Sequence, residues 1–162
     1  MTHRSNAGRT IFWGGLIAGT LDITGACVVN GYRFGTTPLQ VFQSVSSGLY
    51  GPSSSQLGWK TGIIGLILHY FIATSWVAIY YIASRKINFL IDQWIVSGVL
   101  YGIFVHFFMT QVVIRLAFIV RRQLGEISVA RPFNLKGSLI GMTIIIFCIG
   151  LPIAFIVRKF SK

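Results

Sequence analysis

The sequence has almost no negative charge. Across 162 residues only Asp22, Asp92 and Glu126 are acidic, against 14 Lys and Arg, and charged residues make up 10% of the chain. Soluble domains carry about 25% charged residues, so this composition argues against a water-soluble globule. Three scattered carboxylates provide no acid and base pair for hydrolytic chemistry. With only Cys27 and Cys148, there is neither a disulfide framework nor a set of thiols at zinc spacing. Gly-rich phosphate loops and the Gly-x-Ser-x-Gly elbow are missing as well. The chain therefore carries no enzyme signature, and no metal or other cofactor is expected.

What the sequence does have is apolar length. Hydrophobic residues are 54% of the chain and the mean hydropathy is +0.72. A helix crossing a bilayer needs about 20 mostly apolar residues. Four segments reach that length: Ile11–Asn30, Thr61–Ser84, Ile95–Ile114 and Gly137–Val157. These predict an all-α integral membrane protein with four transmembrane helices, residues 1–162 forming a single helical-bundle domain. Pro152 removes a hydrogen bond from the fourth and predicts a kink there. Trp13, Tyr32, Trp59, Tyr80, Tyr81 and Trp94 lie near segment boundaries, as an interfacial aromatic belt requires.

The formal net charge of +11 sits in the breaks between these runs. The basic residues therefore read as anchors to a bilayer with anionic head groups rather than as a nucleic-acid surface. The first run is too long for the core of a cleaved signal and carries Asp22 in its middle. With four crossings both termini share one side, where Arg4, Arg9, Arg85, Lys86, Arg158, Lys159 and Lys162 lie. Arg33, Lys60, Arg115, Arg121, Arg122, Arg131 and Lys136 fall on the other. The totals are equal, but the terminal side concentrates its charge on about half as much chain, which predicts cytoplasmic termini.

The connection between the first two runs contains a short helix. Thr36 or Thr37 can cap it, Pro38 suits its first position, and Leu39, Phe42, Val45 or Ser46, and Leu49 fall at helical spacing. Gln40, Gln43, Ser44 and Ser47 take much of the other surface. Residues 38–50 are too few to cross a bilayer, so the helix is expected to be interfacial or re-entrant. After Ile114 the third run is expected to stay helical through Val120 and then present Arg121 and Arg122 to head groups.

Ionisable residues inside apolar runs are expensive and are therefore functional candidates. Asp22, His69 and His106 each lie eight residues from the non-terminal end of their own segment, which is about 12 Å deep at 1.5 Å per residue. Each shares a helix face with small residues: Asp22 with Gly15, Ala18, Gly19 and Ala26; His69 with Gly62, Gly65 and Ala73; His106 with Gly98, Gly102 and Thr110. Small residues at such spacing let helices approach closely in lipid, so these faces should point inward. A buried Asp22–His69–His106 cluster is thus the candidate binding site. It reads as a proton or small-solute site of a minimal transporter or channel. It reads equally as polar glue in an accessory membrane protein that packs with a partner or with itself. A third reading makes His69 and His106 axial ligands of a haem. The same depth count separates Cys27 from Cys148, which predicts packing residues rather than a disulfide.

The stretches Gly15-Leu-Ile-Ala-Gly-Thr-Leu-Asp-Ile23, Pro38 through Gly51 with its Ser-Gly-Leu-Tyr-Gly ending, Gly65-Leu-Ile-Leu-His69 and Tyr101-Gly102 resemble those of a family of small, uncharacterised bacterial multi-span membrane proteins. The resemblance covers about the first two-thirds of the chain. It implies a multi-pass protein of the bacterial inner membrane and carries no activity, substrate or ligand.

Overall fold

The computed structural model describes residues 7–123 and 134–161, and among these every regular element is helical. Helix α1 spans Ala7–Phe34, α2 Pro38–Tyr50, α3 Trp59–Ser84, α4 Phe89–Asp92, α5 Trp94–Phe108, α6 Ile114–Gln123, α7 Leu135–Ile145 and α8 Leu151–Ser161. A 3₁₀ turn, Gly51–Ser55, follows α2. One π turn, Met109–Val113, joins α5 to α6, and another, Ile146–Gly150, joins α7 to α8. Four continuous helical bodies are long and apolar enough to cross a membrane: Ala7–Phe34, Trp59–Ser84, Trp94–Ala117 and Leu135–Phe160. They extend the runs read from the sequence by a few residues at most ends, because boundary polar residues continue the helices rather than stop them.

Backbone proximity at small residues sets the bundle. Gly15 and Gly19 of α1 face Thr74 and Tyr70 of α3. Gly98 and Gly102 of α5 receive Gly150 and Ile146 of the fourth body, so closely that a Cβ on Gly150 would collide with the Gly98 carbonyl. The inward orientation expected for these stripes is what the structure shows. Around them Ala18, Trp76, Val77, Tyr80, Val105, Ile153, Ala154 and Val157 form the buried core.

Helix α2 is built as its sequence dictates. Thr37 Oγ1 accepts from the Gln40 amide while the Gln40 side chain accepts from the Thr37 amide, closing a capping box ahead of Pro38. Its packing differs from expectation in one respect. Gln43, assigned to the polar surface, is only 5% exposed. Its Nε2 donates to the Gly58 carbonyl at 2.9 Å and so ties α2 to the start of α3. Thr61 braces the same corner by donating to the Ser54 carbonyl at 2.6 Å. Gly62 and Gly65 of α3 accommodate Leu39 and the Phe42 backbone, so α2 lies directly on α3.

Two aromatics of the expected belt belong elsewhere. Tyr80 is 1% exposed and Tyr81 is also buried, because both face the core where α3 meets α4, α5 and α8. The Tyr80 hydroxyl meets the Leu90 carbonyl at 2.9 Å and the Ser97 hydroxyl at 2.8 Å, and Tyr101 donates to the Trp76 carbonyl at 2.7 Å. Trp13, Tyr32 and Trp59 are exposed. Helix α6 bears out the helical continuation past Ile114. Glu126, Arg131, Arg4 and the Arg121 side chain lie outside the described residues.

Candidate functional site

Asp22 lies a little over halfway along α1, and small residues bring the neighbouring helices against that region. Gly19, nearly one turn before it, admits the ring of Tyr70, to which a Cβ would come within 2.9 Å. Gly25, nearly one turn after it, faces Cys148 of the π turn in the fourth body, with 3.3 Å between a Cβ and the sulfur. The half-buried Asp22 carboxylate is consequently within electrostatic range of two side chains from two other helices, the His69 imidazole and the Cys148 thiol.

The hydrogen bonds around this point fix the state of the ring. His69 Nε2 lies 2.8 Å from the Gly19 carbonyl oxygen. A carbonyl only accepts, so Nε2 carries the proton and donates. Nδ1 is then the one basic lone pair on His69. Next to it, Thr20 donates to the Leu16 carbonyl at 2.7 Å. Its single proton is thereby used, and Tyr70 must donate to Thr20 across 2.9 Å. Both bonds from α3 to α1 therefore end on groups other than the Asp22 carboxylate.

His106 is placed differently. It is 4% exposed, its Nε2 lies 3.0 Å from Ser138 Oγ of α7, and Gly141 sits against the ring. Its Nδ1 has no hydrogen-bond partner. Counted from the non-terminal ends of the apolar bodies Ala7–Phe34, Trp59–Ser84 and Trp94–Ala117, Asp22, His69 and His106 lie twelve, ten and eleven residues in, while the third helix itself continues to Gln123. The structure puts Asp22 within electrostatic range of His69 and attaches His106 to the fourth body.

A carboxylate beside an imidazole with a free Nδ1 can do simple acid–base chemistry. One proton on Nδ1 makes an imidazolium within electrostatic range of the carboxylate, and the two charges then sum to zero. Without it the site carries one uncompensated negative charge in an apolar surrounding, where charge is costly unless matched. The electrostatic demand on a neighbouring solute thus changes with one proton. The Nε2 atoms of the two histidines are engaged on different helices, by the Gly19 carbonyl for His69 and by Ser138 for His106. No group of three or more His, Cys, Asp or Glu among the described residues is arranged to hold a metal ion.

Sequence reasoning missed two residues here. Cys148 was read as packing alone, although its depth was within a turn of that of Asp22. Ser138, the partner of His106, carries no signal in an apolar run, since serines there usually bond their own helix backbone. In comparisons with known proteins the chain matches no protein-family model, no curated protein and no solved structure.

Proposed function

We propose that the chain is a multi-pass protein of the bacterial inner membrane with cytoplasmic termini, and that its Asp22–His69 pair is a proton-linked binding site for a small polar solute, as in a minimal transporter or channel. The observation that carries this reading is a carboxylate within electrostatic range of an imidazole that keeps a free basic nitrogen, both between apolar helices. His106 adds a second polar point at the same depth. The orientation rests on the charge density at the terminal end.

The test is proton flux into liposomes containing the purified protein under an imposed pH gradient. Asp22→Asn keeps size and hydrogen bonding but cannot titrate, so it should abolish flux while leaving the melting temperature nearly unchanged. Unchanged flux in a stable Asp22→Asn protein overturns the proposal.

A second reading, a structural membrane protein that packs with a partner or with itself, has an observation on its side. The hydrogen bonds of His69 and Tyr70 to Gly19 and Thr20 all tie α3 to α1. Under that reading Asp22→Asn is silent, whereas His69→Leu and Tyr70→Phe, which delete those bonds, each cost about 0.5–1.5 kcal/mol.

A further inference from the structure

A groove of about 380 Å³ runs between α1 and α8. Ile17 and Leu21 line one wall, Phe147, Leu151 and Phe155 the other, and Trp94 closes the terminal end. There the Trp94 ring packs on Phe155 at 5.5 Å between centroids, and the Arg158 guanidinium lies 5.8 Å from the Trp94 ring centroid. No carboxylate among the described residues pairs with Arg158. Arg9 and Lys159, both exposed at the same end of the bundle, add to its positive charge.

The groove has the length of a single leaflet. Eleven residues separate Phe147 from Arg158, about 16 Å along a helix at 1.5 Å per residue. Half of a hydrocarbon core about 30 Å thick is about 15 Å. An apolar channel of that length, headed by an unpaired cation over an aromatic ring at the level where head groups lie, matches a lipid with an acyl chain and a negative phosphate. We propose that this groove binds one anionic phospholipid of the leaflet on the terminal side, its chain along Leu21 and Leu151 and its phosphate at Arg158. The proposal rests on the membrane placement argued above and is independent of the Asp22–His69 site.

Delipidated protein in detergent, titrated with phosphatidylglycerol or phosphatidylcholine of equal chain length and read by native mass spectrometry, tests it. The wild type should prefer phosphatidylglycerol by about tenfold, the equivalent of one charge-assisted hydrogen bond. Arg158→Gln should remove that preference, Arg158→Lys should keep most of it, and Arg122→Gln at the other end should leave it intact. Leu151→Trp, which fills the groove, should weaken both lipids. Equal affinity of the wild type for the two lipids, or a preference that survives Arg158→Gln, overturns the proposal. If Arg158→Gln does not fold, the Leu151→Trp titration decides, and undiminished binding there overturns it. Recovery of the chain in the aqueous fraction after alkaline washing of membranes would instead refute the membrane placement.

Discussion

A methyl group added at Gly65 has no room, because its position is taken by the Phe42 carbonyl oxygen. Gly65→Ala must push α2 off α3, and overpacking of this kind costs about 1–3 kcal/mol. Gly8 has nothing within 4 Å of an added Cβ, so Gly8→Ala should stabilise by about 0.5–1 kcal/mol through helix propensity alone. Thermal melts of the two variants in one detergent should move in opposite directions. If Gly65→Ala melts as the wild type does, the close crossing is wrong. Tyr101→Phe should cost about 0.5–1.5 kcal/mol, since it removes the one hydroxyl that reaches the Trp76 carbonyl. At this scale Asp22 and His69 were legible, because ionisable groups stand out in an apolar run. Tyr80 was not, since a tyrosine near a helix end reads the same whether its hydroxyl meets water or Ser97.

Helix α2 owes its start to local sequence and its seating to tertiary contacts. Thr37→Ala should cost about 1 kcal/mol by opening the capping box. Single cysteines placed through Pro38–Tyr50 should react with a membrane-impermeant thiol reagent at Gln40 and Ser44, which are exposed, and not at Val41 or Ser46, which are buried. Uniform labelling would mean a solvated loop. The cap, the proline and the helix length were all readable, because each depends on neighbours in the chain. The burial of Gln43 was not, because its partner, the Gly58 carbonyl, is 15 residues away and helical spacing carries no information about it. The π turn Ile146–Gly150, which lies just before Pro152, was likewise not readable, because nothing in the apolar run marks it.

For the whole molecule the apolar runs gave the four long helices to within a few residues, while their mutual arrangement depended on which glycine stripe meets which partner. Orientation follows from the density of basic residues: a reporter fused after Lys162 or inserted near Arg85 should behave as cytoplasmic, and one near Ser54 as external. A cytoplasmic Ser54 reporter would reverse the topology. The third and fourth bodies each contain one π turn, and a π turn accommodates an additional residue in an otherwise α-helical rod. Each residue advances an α-helix by about 100°, but the wider turn takes up the extra one, so in both rods the sequence spacing shifts by a residue while the two halves keep a common facing. Deleting Ile149 alone would narrow the turn to ordinary α-helix and leave Ile153 and Val157, both fully buried, still facing the core. Each of these two turns is thus a place where the rod can lose one residue and keep its downstream contacts, whereas a deletion elsewhere in the same rod turns every contact that follows by about 100°.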